Sequence, residues 1–180
     1  MKLKILFTSL LLIVSATVLS PATAGELLIG AKIGLIDPEF DHIDKSDPFV
    51  ATTLGVGYEF LDLLAVDIAA EVEVTSSLTE STLGNSDYNY DNLALIFSLR
   101  TAGPVYFIGR AGAMKQEFDF VDATPVGFSE KDNGTILGAG IGFSTGLRWE
   151  IQLDAHKYSN KDNTPYNDGT AYFLNVGLSF

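Results

Sequence analysis

The fold is decided by the stretch TAYFLNVGLSF, residues 170–180. Large apolar residues occupy the even positions from Tyr172 to Phe180, whereas small or polar residues fall on the other parity: Ala171, Asn175, Gly177 and Ser179. Such alternation predicts a strand with one apolar face and one polar face. Because a soluble protein rarely leaves such a strand as an unprotected edge, we expect it to pair with the first strand and close a barrel whose apolar face meets lipid.

The first 24 residues have the pattern of a cleavable signal peptide. Lys2 and Lys4 precede an apolar stretch over 5–19, and a small-x-small site over 22–24 comes just before Gly25. A membrane-anchor helix is the weaker interpretation, because the apolar run is short and interrupted by polar residues. The prediction is therefore a signal peptide over 1–24 and one domain over 25–180.

Charge and composition exclude several classes of function. The formal net charge is −12, and removal of Lys2 and Lys4 makes the remaining chain more acidic still. A nucleic-acid partner is not expected, since phosphate binding requires a basic surface. The chain has no cysteine, so disulfides, thiolate metal sites and cysteine nucleophiles are excluded. No cofactor is predicted.

Eight segments of the chain alternate with period two, and each is close to the roughly 9–11 residues that a tilted strand needs to cross a bilayer. They cover residues 26–36, 49–60, 63–75, 92–101, 105–117, 135–144, 147–156 and 170–180. The connections alternate between short turns (61–62, 102–104 and 145–146) and long polar loops (37–48, 76–91, 118–133 and 157–169). This predicts an all-β, eight-stranded antiparallel up-and-down transmembrane β-barrel with short turns inside the cell envelope and long loops outside.

Aromatic residues lie near the strand ends on the apolar parity, which predicts interfacial girdles. The candidates are Tyr58, Phe60, Phe107, Phe143, Trp149, Tyr172 and Phe180. A soluble lipocalin-like barrel or sandwich is the alternative, with its apolar face turned inward. The glycines and alanines of the polar parity make a poor solvent face, which favours the membrane interpretation.

The polar parity carries charges of both signs, which predicts an ion-pair network inside the barrel. Its members are Lys32, Glu59, Asp67, Glu71, Glu73, Arg100, Arg110, Arg148, Glu150 and Asp154. Because eight strands enclose only enough space for side chains, this network is expected to plug the interior. A small low-conductance pore is the alternative.

At this point the sequence resembles the family of small outer-membrane β-barrels that includes the membrane domain of outer membrane protein A. The resemblance is carried by LGVGYEFLDLLAVDIAAEVEV (54–74), VYFIGRAGAM (105–114), LGAGIGFSTGLRWEIQLDAHKY (137–158) and the terminal YFLNVGLSF. It implies integral insertion in the outer membrane of a Gram-negative bacterium, contact with outer-membrane lipid and lipopolysaccharide, and a monomeric state. It also implies that Phe180 is the terminal aromatic signal for the barrel-assembly machinery.

The segment AHKYSNKDNTPYNDG, residues 155–169, resembles part of the outer-membrane lipid A deacylases, which are eight-stranded esterases. His156 and Ser159 are three residues apart, so on one strand they point to opposite faces. No glutamate follows in 169–172 to orient the histidine, and a catalytic triad without that group is incomplete. A deacylase-like hydrolase is therefore only the alternative to a structural or surface-interaction role, of the adhesion type, without catalysis.

Two groups of loop residues remain open in function. The first loop is acidic, with Asp37, Glu39, Asp41, His42, Asp44 and Asp47; a solvated acidic loop is favoured over a calcium site because the spacing is not that of an EF-hand. Aromatic residues of the second and third loops either anchor a host or surface ligand or pack on one another. They are Tyr88, Tyr90, Phe118, Phe120 and Phe128.

Overall fold

The computed structural model describes residues 25–40, 47–63, 65–83, 86–120, 129–145, 148–160 and 166–180. Within these ranges the chain forms nine strands: β1 Leu27–Phe40, β2 Phe49–Leu63, β3 Val66–Ser77, β4 Ser81–Leu83, β5 Ser86–Thr101, β6 Val105–Phe120, β7 Ser129–Ser144, β8 Trp149–Asn160 and β9 Tyr166–Ser179. The same part of the chain holds no helix long and apolar enough to cross a membrane. The predicted signal peptide lies outside the described residues.

Eight long strands close into an antiparallel barrel, which confirms the predicted fold. Consecutive strands pair antiparallel, except that β3 pairs with β5 and not with β4, and β9 returns to pair with β1. The ring is closed by backbone hydrogen bonds between Leu27 and Phe180, at 3.0 and 2.9 Å. The remaining strand, β4, is short and pairs with β5 beyond the end of β3.

The sidedness of the strands is the reverse of that in a soluble barrel. Large apolar side chains lie exposed on the outer surface; Phe107, for example, is 64% accessible and Leu153 59%. Charged residues such as Lys32 and Arg110 are buried inside, at 4% and 5%. An outer surface of this kind is favourable in hydrocarbon and costly in water.

The first short turn lies later in the chain than predicted. Residues 61–62 belong to β2, and β3 starts at Val66 rather than at 63. A β-bulge causes the shift: Glu59 pairs with Ala69, Leu61 pairs with Ile68, and Phe60 has no partner in the ladder. Because one extra residue reverses the facing of all that follow, Leu61 and Leu63 are exposed outside.

At the opposite end of the barrel, the strands are longer than the alternation predicted. β5 begins at Ser86 and not at 92, and β6 extends to Phe120. Part of each predicted long loop is therefore strand, and the inward parity continues beyond the expected strand ends. We call this end the long-loop end, and the end where β1 begins and β9 ends the short-turn end.

Candidate functional site

The interior nearest the short-turn end is organised around Arg100. Its guanidinium lies 2.5 Å from Glu150, 3.2 Å from Asp67 and 3.3 Å from Glu59. The same guanidinium lies 5.0 Å from the ring centre of Tyr106, whose hydroxyl donates a hydrogen bond to Glu150 at 3.0 Å. One arginine from β5 thus ties together four other strands.

A second set of ion pairs lies one level deeper. Lys32 lies 2.5 Å from Glu73 and 3.9 Å from Asp154, and Arg110 lies 2.6 Å from Asp154 and 3.8 Å from Glu71. Gln152 also donates to Asp154. A buried charge is tolerated only when it is paired, and these pairs join strands that are far apart in sequence. We call the two sets together the ionic layer: Lys32, Glu59, Asp67, Glu71, Glu73, Arg100, Tyr106, Arg110, Glu150, Gln152 and Asp154.

Arg148 was predicted with these residues but lies elsewhere. It is exposed in the turn before β8, which starts at Trp149. Its backbone has a φ of 70°, and its guanidinium lies 5.8 Å from the ring centre of Phe180. The prediction was wrong because the alternating segment was extended two residues too far toward the turn.

The ionic layer leaves very little free space. A cavity of about 50 Å³ lies among its charges, beside Gly30, Gly55 and Asn175. At roughly 10–15 Å³ for each water, it holds only a few molecules. Toward the short-turn end the interior opens into an acidic vestibule of about 560 Å³, lined by Glu26, Glu59, Asp62, Asp67 and Arg100.

The interior nearest the long-loop end is filled by rings. Tyr88 contacts Phe49, Phe118, Phe40 and Phe120 at centroid distances between 5.7 and 6.0 Å. Tyr90 packs 5.1 Å from Phe118, and its hydroxyl accepts a hydrogen bond from Asn92 at 2.8 Å. We call Phe40, Phe49, Tyr88, Tyr90, Phe118 and Phe120 the aromatic layer.

The sequence left open whether the aromatic residues of the second and third loops anchor a ligand or pack on one another, and the aromatic layer answers this for most of them. Tyr88, Tyr90 and Phe118 are buried inside the barrel, so they pack on one another and are not exposed anchors for a partner. Phe128 lies outside the described residues. A signal was present: Tyr88 and Tyr90 continue the even, inward parity of Arg100 along β5, and Phe118 continues that of Arg110 along β6.

His156 and Ser159 lie on opposite faces of β8, as their spacing predicted. His156 is buried inside, 5.5 Å from the ring of Phe173 and 6.3 Å from that of Tyr158. Phe173 is itself an exception to the alternation of β9, because it is a large apolar residue on the inward parity; Gly34 of β1 makes room for its ring. The histidine thus lies between the ionic and aromatic layers.

The acidic residues of the first loop do not gather into a site in the described part of the chain. Asp37 and Glu39 belong to β1 and face outward, and Asp47 is exposed before β2. Asp41, His42 and Asp44 lie outside the described residues. Within those that are described, no group of three or more His, Asp or Glu residues is arranged to hold a metal ion.

Most of the predicted girdle residues lie on the outer surface. Phe60, Phe107, Phe143, Trp149, Tyr172 and Phe180 are exposed there, and Tyr58 is half-buried. Tyr172 is on the long-loop side of its strand, and the others are nearer the short-turn end. Their role as interfacial anchors, like that of Phe180 as an assembly signal, stays a prediction.

Three solved outer-membrane structures are similar in shape to this barrel. Neisserial surface protein A has a TM-score of 0.64 at 11% identity, covering 89% of this chain and 100% of that one. Ail, the attachment invasion locus protein of Yersinia pestis, has 0.60 at 13%, covering 87% and 97%. The outer membrane enzyme PagL has 0.51 at 17%, covering 84% and 98%. These low identities establish the fold only.

Sequence comparison supplies the family. No curated protein is significantly similar to the chain in sequence. The family model of the outer membrane protein beta-barrel domain, however, matches residues 6–180. Together with the closed eight-stranded ring and its apolar outer surface, this match shows that the chain belongs to the outer membrane protein beta-barrel domain family and resides in the outer membrane of a Gram-negative bacterium.

Proposed function

We infer that this protein is a structural and surface-interaction barrel without catalysis, whose recognition is carried by the extracellular long-loop end. The observation that carries this proposal is the filled interior. The ionic layer blocks the interior near Arg100 and Arg110, and the aromatic layer blocks it again around Tyr88. With both levels occupied by side chains, the surface is what remains for interaction.

The charge of the long-loop end indicates the kind of partner. The four predicted loops contain fourteen Asp and Glu residues against four lysines. Ail has been solved with the heparin analogue sucrose octasulfate, a polyanion. An acidic end repels such a ligand and attracts cationic ones. We therefore propose a basic surface, such as a lysine-rich protein, as the partner of this barrel.

The experiment compares adhesion to two coated surfaces. Cells that display the barrel are expected to adhere to a surface coated with polylysine, used as the probe, and not to one coated with heparin. The variant carrying Asp37→Asn, Glu39→Gln and Asp47→Asn should adhere less to polylysine, because all three carboxylates are exposed. Lys131→Gln, which removes an exposed positive charge instead, is the matched control. Stronger adhesion to heparin than to polylysine would overturn the proposed partner.

The two alternative functions are tested on the purified barrel. In planar bilayers we expect no steady ohmic conductance, because the described interior is closed at two levels; a large stable current would support the pore instead. Incubation with lipid A should release no fatty acid, since His156 is enclosed by Tyr158 and Phe173 and Ser159 is on the other face. Release that is abolished by His156→Ala would establish an esterase.

A further inference from the structure

The ionic layer holds more negative than positive charge. Its ion pairs join one lysine and two arginines to six carboxylates: Lys32, Arg100 and Arg110 on one side, and Glu59, Asp67, Glu71, Glu73, Glu150 and Asp154 on the other. Each of the three cations is already shared between at least two carboxylates. An uncompensated charge in a buried site is costly, so a further positive charge placed in this layer would stabilise it.

The cavity of about 50 Å³ within the ionic layer has room for such a charge. Glu71, Glu73 and Glu150 line it, together with Arg110 and Asn175. Two polar atoms of this lining are buried without a hydrogen-bond partner, namely Oδ1 of Asn175, an acceptor, and Nε of Arg110, a donor. The side chain of Arg110 is only 3% exposed. Because buried polar groups are normally satisfied, the cavity must hold a species that serves both atoms.

The acidic vestibule leads toward this cavity from the short-turn end. Arg100 lines both spaces, and the other charged residues that line the vestibule are all carboxylates: Glu26, Glu59, Asp62 and Asp67. A space lined by charge of one sign raises the local concentration of the opposite ion, so the vestibule concentrates cations. Beyond the cavity the aromatic layer fills the interior. A cation that passes Arg100 is therefore held and not conducted.

We propose that the cavity binds a small monovalent cation, such as sodium, together with a few water molecules. The cation is held by Oδ1 of Asn175 and the carboxylates of Glu71 and Glu73, and one of its waters accepts a hydrogen bond from Nε of Arg110. At roughly 10–15 Å³ for each water, the cavity admits an ion of this size but no organic cation. The described residues include no group of carboxylates and histidines arranged around a metal, so a singly charged, partly hydrated ion suits the cavity better than a divalent one.

Two substitutions test the acceptor and the free space separately. Asn175→Leu removes the acceptor at similar volume; its matched control is Asn92→Leu, because Oδ1 of Asn92 is also buried without a partner but does not line the cavity. Gly177→Ala places a methyl group in the cavity, and that Cβ would lie 3.7 Å from the carbonyl oxygen of Ile29, an ordinary contact. Its control is Gly109→Ala on the outer surface, where a Cβ meets nothing within 4 Å. Heat-modifiable migration on gels establishes that each variant is folded.

Binding is measured as stabilisation of the barrel in vesicles of phosphatidylcholine. Urea unfolding is followed by the fluorescence of Trp149 while sodium chloride replaces N-methylglucamine chloride at constant ionic strength, since the organic cation is too large for the cavity. The folding equilibrium constant should rise saturably by about tenfold, a change of roughly 1.4 kcal/mol. Asn175→Leu and Gly177→Ala should lose most of this rise, and both controls should keep it. Equal stability in the two salts would show that water alone fills the cavity and would overturn the site, as would equal losses in the controls.

Discussion

The two halves of the barrel interior are filled by different interactions. In the ionic layer, side chains from strands far apart in sequence meet in pairs such as Arg110–Asp154, at 2.6 Å. In the aromatic layer, rings such as Tyr90 and Phe118 fill space by shape, at 5.1 Å between centroids. A charge requires a particular partner, whereas a ring requires only a cavity of the right size. The ionic layer is therefore the more specific half, and the aromatic layer the more adaptable.

The largest effect is expected from breaking a deep ion pair. Arg110→Ala should lower the free energy of unfolding by about 3–5 kcal/mol, because it leaves Asp154 and Glu71 without their arginine in a buried site. Urea unfolding in lipid vesicles, followed by the fluorescence of Trp149, measures this change.

The control for that variant removes both charges. Arg110→Met combined with Asp154→Leu should be less destabilising than Arg110→Ala, since the closest carboxylate, that of Asp154, is gone, apolar volume replaces it, and only Glu71 is left without its arginine. If the double variant were the less stable of the two, the comparison between the specific and adaptable halves would be contradicted.

The next effect is expected in the aromatic layer. Phe118→Ala should cost about 3–5 kcal/mol through the cavity it leaves, and Phe118→Leu about 1.5 kcal/mol or less, because most of the volume is kept. The same urea titration measures both. Equal losses of unfolding free energy for the two variants would show that side-chain volume does not govern the stability of the aromatic layer.

The smallest effect is expected at Arg148. Arg148→Ala should cost no more than about 1 kcal/mol, because an exposed cation–π contact is weak. Arg100→Ala is the matched arginine in the ionic layer and should cost at least about 3 kcal/mol, since it leaves three carboxylates facing one another. A large loss at Arg148 would place that residue back among the interior charges.

The different physics also explains what could be predicted from the sequence. Strand parity placed Lys32, Arg110 and Asp154 inside, because charges of both signs on one face of a strand indicate an interior network. The closed ring followed from the alternation and the number of spans. Neither required knowledge of a distant contact.

The errors have a common cause in the strand ends. Polar residues such as Asp87 and Asn89 alternate with Tyr88 and Tyr90 near the start of β5, so the apolar alternation that marks a spanning strand is absent there and the inward rings were assigned to loops. Arg148 was misplaced by the opposite error: the alternation continues into the turn before Trp149, so the strand was extended too far. Pairing between neighbouring strands, which fixes both ends, is a property of the three-dimensional fold.

At the bulge around Phe60, one residue can be lost from β2 without changing the face on which the other side chains of the strand lie. Glu59 and Leu61 already pair with consecutive residues of β3, Ala69 and Ile68. Loss of Phe60 would join the ladder directly and leave every other side chain of β2 on its present face. A deletion at Val56, in regular pairing with Val72, would instead exchange lipid-facing and interior residues along the rest of the strand. Insertions and deletions in related sequences should therefore concentrate at this position among those of β2.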